Sequence, residues 1–243
     1  PTAGINHTVA VLLAAAYKQA DTYIGSIYAT GHNTCYFEPF KGKAERPMIL
    51  NLESGGFMKL APNRFDAEFD AQSEKPGEQR LEKMVSGRYM GELFGMAIAE
   101  LLGEKGKKYG FTSIDMSNII LDETAGLTEV GRIVSAKTGH DLEEVDRQRL
   151  QELASALVVR SARLVTATYV GIIWQLAGDD AIKKQHIAID GSVYEKMPLA
   201  KENIMRALSE LLGESASLVD TVLENGGSGL GAAIAAAMSQ KQA

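Results

Sequence analysis

The sequence predicts a single mixed α/β domain, and three observations predict it. Its 243 residues suffice for one sizeable core. A hydrophobic share of 45% and a charged share of 23% sit near the globular average, which removes disordered, collagen-like and disulfide-scaffold classes. Strand-like and helix-like stretches alternate along the chain, with no internal repeat, low-complexity tract or linker between them.

From the N-terminus, Thr8 to Lys18 has Ala, Leu and Val at helical spacing. Tyr23 to Thr30 reads as a strand, Gly31-His32-Asn33 as a turn, and Thr34 to Phe37 as the second arm of a hairpin. Met48 to Leu52 is a short strand leading into Glu53-Ser54-Gly55-Gly56. In Gln79 to Leu102, apolar or small residues recur every four positions from Leu81 to Leu101. One helix is expected there, closed by Gly103. Residues 111 to 140 read as short helices and loops. Asp141 to Ala177 reads as one long helix or two, with Asp141 as its cap. Gln185 to Ile189 is a strand ending on Asp190-Gly191-Ser192. A helix from about Ala200 to Leu212 and a strand near Leu218 to Leu223 follow. Asn225-Gly226-Gly227-Ser228-Gly229 then leads into a last helix, Ala232 to Met238.

Charge and cysteine usage exclude several classes of partner. With 25 basic and 31 acidic residues the net charge is -6, and neither a nucleic-acid nor an anionic-membrane partner is expected. The basic run Lys105 to Lys108 is expected to complement the C-terminal end of the preceding helix. Cys35 is the only cysteine, which fits a reducing cytoplasm and leaves no cysteine metal site. The start at Pro1 has no signal-peptide pattern. Leu153 to Leu176 is apolar enough to span a bilayer, but Arg160 and Arg163 would be costly there, so a helix buried in a soluble protein is expected. His7, His32, His140 and His186 form no i, i+4 pair, and no protein-held metal is expected.

Two patterns carry the chemistry. Thr30-Gly31, Asp190-Gly191-Ser192 and Gly226-Gly227-Ser228-Gly229 each follow a strand. Glycine lets backbone approach a ligand closely, and free N–H groups at such turns suit phosphate oxygens. None matches a dinucleotide fingerprint or a lysine-bearing phosphate loop, so each taken alone is also readable as a connection. Asn6, Asn33, Glu53, Gln79 and Glu82 stand beside element ends. Converging, they could satisfy sugar hydroxyls, which both donate and accept. Separately, they would be caps and solvated surface.

Six segments in order resemble the hexokinase family. They are Asn6-His7-Thr8-Val9-Ala10, Ala29-Thr30-Gly31-His32-Asn33-Thr34-Cys35-Tyr36, Asn51-Leu52-Glu53-Ser54-Gly55-Gly56-Phe57, Pro76-Gly77-Glu78-Gln79-Arg80-Leu81-Glu82-Lys83-Met84-Val85-Ser86-Gly87, Asp190-Gly191-Ser192-Val193-Tyr194 and Gly227-Ser228-Gly229-Leu230-Gly231-Ala232-Ala233. The resemblance runs over essentially the whole chain and is to the family's larger, C-terminal domain. It implies an actin-like ATPase (ribonuclease H-like) fold, a mixed five-stranded sheet flanked by helices. It implies transfer of the ATP γ-phosphoryl to the 6-hydroxyl of a glucose-like hexose, the first step of glycolysis, with magnesium carried on the phosphates. By the same resemblance Asn6, Asn33, Glu53, Gln79 and Glu82 would line the sugar pocket. Thr30 and Gly31 would face the transferred phosphate, and Gly191, Ser192, Gly227 and Ser228 the nucleotide.

The departures are also informative. His7 stands where the family has the aspartate base that takes the hydroxyl proton; imidazole can serve as a base, but is larger and offers one acceptor. Gly226 replaces an aspartate, and Ser54 an aromatic residue. The family's Asp-x-Gly-Gly-Thr phosphate loop and its small N-terminal domain do not appear among the 243 residues. The expectation is a domain inactive alone, with a non-catalytic, sugar-binding or regulatory relative as the alternative.

Overall fold

The computed structural model describes residues 5–39 and 48–240, with side chains at 228 and 238–240 excepted. Pro1 to Gly4 therefore lies outside the described residues. Helix α1 (His7–Lys18) precedes a hairpin, β1 (Thr22–Tyr28) and β2 (His32–Glu38), and then β3 (Met48–Asn51). Helices α2 (Arg64–Gln72), α3 (Arg80–Val85), α4 (Gly87–Leu101), α5 (Ser113–Ile120), α6 (Thr128–Thr138) and α7 (Glu144–Ala177) follow. The chain returns through β4 (Gln185–Asp190), α8 (Ser192–Lys196), α9 (Ala200–Leu212), β5 (Val219–Leu223) and α10 (Gly227–Gln240). Five strands make one mixed sheet in the order β3-β2-β1-β4-β5. β1, β4 and β5 are mutually parallel, and β2 and β3 complete an antiparallel meander.

Helices cover both faces, as buried parallel strands require. On one face the core gathers Ile24, Tyr28, Ile187 and Ile189 against α3, α4, α7 and α9. On the other, α1 lies against β1 so closely that a Cβ on Gly25 would stand 2.7 Å from that of Leu12. α10 crosses α1 closer still: a Cβ on Gly231 would come within 2.0 Å of the Ala10 carbonyl oxygen. α7 is long and apolar enough to cross a membrane by composition. Its buried face, Val158, Val165, Tyr169 and Ile173, belongs to the core instead. Tyr169 shares a 2.8 Å hydroxyl hydrogen bond with Ser26 of β1, and Ser161 donates to the Val85 carbonyl at 2.6 Å.

Several sequence expectations are corrected. The hairpin turn is tighter than Gly31-His32-Asn33, because Tyr28 pairs with His32 and the Ala29 N–H closes on the Gly31 carbonyl at 3.0 Å; His32 and Asn33 are strand residues. The helix expected over Gln79 to Leu102 breaks at Ser86, whose ψ of 154° is extended. There the Gly87 N–H leaves the helical ladder to donate to Ala29 O at 2.8 Å. A Cβ at Gly87 would meet Val193 Cγ2 at 2.8 Å, so the break and the glycine serve one close approach. Asp141 does not cap α7; its N-cap is Glu143, because the helix starts one turn later. Lys105 and Lys107 lie beyond the end of α4 and pair with Glu68 and Glu104, each at 3.0 Å, rather than with the helix end. Gly227 and Gly229 lie inside the first turn of α10 instead of before it. α2 was not anticipated, although Asn63 and Asp66 form a reciprocal capping box at its start. α8, a single turn after Gly191, was also missed.

Candidate functional site

Parallel strands place their carboxyl ends together, and the crevice beyond such ends is where open α/β sheets bind ligands. Thr30-Gly31 follows β1, Asp190-Gly191 ends β4, and Gly227 opens α10 just after β5. All three glycine turns therefore share one end of the sheet. Thr30 and Ser192 are exposed there, and the side chain of Ser228 lies outside the described residues. Two of the turns touch. Gly191 has a φ of 140°, and a Cβ on it would stand 2.3 Å from Tyr28 O and 2.8 Å from Ala29 Cβ. Only glycine permits that approach.

The antiparallel arm brings the polar residues to the same end. Asn33 Nδ2 donates to Asn51 Oδ1 at 2.8 Å, and Asn51 Nδ2 donates to Glu53 Oε1 at 2.6 Å. Asn6 Nδ2 reaches the same Glu53 oxygen at 3.4 Å, while its own Oδ1 caps α1 by accepting from Thr8 N–H at 2.9 Å. Asn33 Oδ1 accepts main-chain N–H groups of Thr34 and Ser54 at 2.7 and 3.1 Å, which fixes its amide orientation. Glu82 Oε2 accepts the His32 N–H at 3.0 Å, and a Cβ on Gly31 would lie 2.9 Å from that oxygen. Gln79 closes the group: a Cβ on Gly55 would meet its Oε1 at 2.9 Å and the Glu82 Cβ at 3.1 Å. The five residues singled out for sugar thus stand around one small volume, with Asn6 both cap and member.

Two of the four non-glycine residues with positive φ among the described residues lie here. Glu53 and Gln79 adopt left-handed conformations, φ 50° and 53°, which non-glycine residues rarely hold without support. Sequence reasoning passed over Asn51, the link between Asn33 and Glu53. The strand period of two, which puts Asn51 on the face that Glu53 continues, was the available signal.

Two departures acquire a structural meaning. Ser54, in place of an aromatic residue, is buried with its hydroxyl 3.4 Å from His32 Nε2. His32 Nδ1 lies 3.0 Å from the Ile27 carbonyl, so this nitrogen carries the proton and donates. Burial is the main cause that lowers the imidazole pKa from 6.5 to about 4, with the Ile27 carbonyl opposing it, so the ring is neutral. His7, half exposed at the start of α1, has its Nε2 3.5 Å from Asp190 Oδ2. It neither caps α1 nor faces solvent alone. α1 thus joins the two halves of the site, Asn6 reaching the polar cluster and His7 the glycine turn.

Among the described residues no three of His, Cys, Asp and Glu converge to hold a metal ion. Phosphate oxygens would find instead the main-chain N–H groups of the crowded glycine turns and the Thr30 and Ser192 hydroxyls.

A family model described as Hexokinase matches residues 23–238. Similar curated proteins include Hexokinase-2 of Candida albicans, 32% identical over 98% of this chain and 55% of its own length. Hexokinase-7 of Oryza sativa is 36% identical over 97% of this chain and 57% of its own length. The chain thus spans about half the length of the curated relatives it matches. Among solved structures, a hexokinase from Schistosoma mansoni complexed with glucose has a TM-score of 0.83 at 25% identity, covering 94% of this chain and 56% of that one. A ROK family glucokinase from Streptomyces griseus, at 15% identity and a TM-score of 0.52, shares the fold.

Proposed function

Because the chain belongs to the hexokinase family, we propose that it carries the hexose-binding and nucleotide-facing part of an ATP-dependent hexose 6-phosphotransferase. One observation carries this reading: the hydrogen-bonded run Asn6–Glu53–Asn51–Asn33, with Glu82 beside it, opens at the same end of the sheet as the glycine turns. Glucose is the hexose favoured, because a family neighbour at 25% identity is described as complexed with it.

In this reading the Glu53 and Glu82 carboxylates accept hydroxyl hydrogens and the side-chain amides of Asn33, Gln79 and Asn6 donate to hydroxyl oxygens, so each sugar hydroxyl leaves water with both roles met. Gln79 and Asn6 close the ring of contacts. Thr30, Gly31, Gly191, Ser192 and Gly227 face the donor phosphates, ATP being the second substrate. Magnesium on those phosphates would supply charge neutralisation, and the protein's work is positioning. A second reading, a sugar-binding relative without turnover, is favoured by His7. His7 stands where the resemblance puts an aspartate base, and its Nε2 faces Asp190 Oδ2 at 3.5 Å.

Calorimetry with glucose and, separately, with Mg-ATP tests the proposal. Heat from both ligands, with the glucose heat abolished by Glu82→Ala, supports it. Absence of heat from either overturns it. In a fusion to a family N-terminal domain, glucose binding without glucose 6-phosphate, together with turnover raised by His7→Asp, would select the second reading.

A further inference from the structure

α3 has only six residues, too few to persist without tertiary support, yet Gln79 immediately precedes it and it carries Glu82. It is pinned at three points. At its start Arg80 Nη1 donates to the Met58 carbonyl at 2.7 Å, just after the turn that holds Glu53. At its end the Gly87 N–H reaches Ala29 O.

The third pin is a buried cation. Lys83 keeps 5% of its side chain exposed, and its Nζ donates to Asp70 Oδ1 at 2.5 Å and to the Lys75 carbonyl at 2.6 Å. Asp70 uses its other oxygen to accept the Gly77 N–H at 2.9 Å. Desolvation pushes its carboxyl pKa up, but the hydrogen bonds from Lys83 and Gly77 and the charges of Lys83 and Arg80 bring it below the usual range. The segment 75–77 is thus grasped from both sides, by Lys83 at one carbonyl and by Asp70 at one N–H. Two residues on stands Gln79, in its left-handed conformation. α2, the source of Asp70, is itself anchored one turn earlier: Asp66 takes Arg160 of α7 through both oxygens, at 2.9 and 3.0 Å. A buried lysine is costly unless paired, and here one of its two hydrogen-bond partners, the Lys75 carbonyl, stays in place only if 75–79 keeps this course.

We propose that Lys83 is a positioning residue of the hexose site: by bridging Asp70 and the Lys75 carbonyl, it sets the course of 75–79 and so aims Gln79 and Glu82 at the sugar. This rests on the reading that those two residues bind hexose. Lys83 does not touch the sugar and takes no part in chemistry.

Two variants, Lys83→Met and Asp70→Asn, are measured for glucose and Mg-ATP affinity by calorimetry and for amide hydrogen exchange without ligand. In Lys83→Met, glucose affinity falls at least tenfold, Mg-ATP affinity stays within twofold, and amides of 75–79 exchange at least tenfold faster while α7 is unchanged. Asp70→Asn moves the same quantities less, because its amide oxygen still accepts from Gly77. Glucose affinity within twofold of the parent, or unchanged exchange over 75–79, overturns the proposal. If the parent chain gives no glucose heat, the hexose reading falls and exchange alone decides: faster exchange over 75–79 in both variants keeps the positioning role, and unchanged exchange removes it. If Lys83→Met does not fold, Asp70→Asn decides by the same measurements.

Discussion

His32 makes stability depend on pH in a way that can be calculated. The ring is buried and neutral, with a pKa lowered from 6.5 to about 4 chiefly by desolvation. In the unfolded chain the imidazole binds its proton as pH falls through 6.5, whereas the folded protein resists until about 4. Stability supplied by the neutral ring is therefore complete above 6.5 and is lost as pH falls towards 4. At about 1.4 kcal/mol per tenfold, the whole window is worth about 3 kcal/mol, of which about 2 kcal/mol falls between pH 7 and 4.5. His32→Asn keeps an amide donor for the Ile27 carbonyl and removes the titration. Urea unfolding of both proteins at pH 7 and 4.5 measures the effect, since carboxylates that titrate alike in each cancel in the difference. The parent should lose about 2 kcal/mol more than the variant over that interval. Equal losses would refute the reasoning, for they would mean that the ring is charged, or solvated, in the folded state.

Two further outcomes follow from close packing. Gly231→Ala replaces a glycine inside a helix, which by propensity would stabilise by about 1 kcal/mol. A Cβ 2.0 Å from Ala10 O reverses the sign, and the melting temperature should fall by several degrees. Cys35, whose thiol burial pushes up to about 12, should resist iodoacetamide at pH 8 in the folded protein and react once unfolded in urea. Mass spectrometry of the alkylated protein reads both states.

Regular elements were legible in the sequence where apolar periodicity was strong. α9 occupies Ala200–Leu212 as expected, and β5 differs by one residue. The break at Ser86 was not, because Leu81 to Leu101 keeps helical spacing across it. What interrupts the helix is Ala29, fifty-eight positions away, and no local pattern reports such a partner. The family motifs brought Asn6, Asn33, Glu53, Gln79 and Glu82 into one list, but their adjacency rests on register. Asn33 meets Asn51 because Cys35 pairs with Asn51, a pairing that a strand boundary drawn from propensity leaves open. The pairing of His7 with Asp190 was equally hidden, since it joins a helix start to the end of a strand far along the chain.

The sheet's order also sets a timetable for folding. β1, β2 and β3 are neighbours in sequence and can zip together as soon as they emerge from the ribosome. β4 must then find β1 across the whole helical section, a parallel pairing of high contact order that waits until Gln185–Asp190 has been made. Until it arrives, one long side of β1 is an open edge flanked by Ile24 and Ile27. Nascent chains should consequently call on chaperones until β4 has been made, and truncations ending before Gln185 should aggregate even though every residue of the amide cluster is already present.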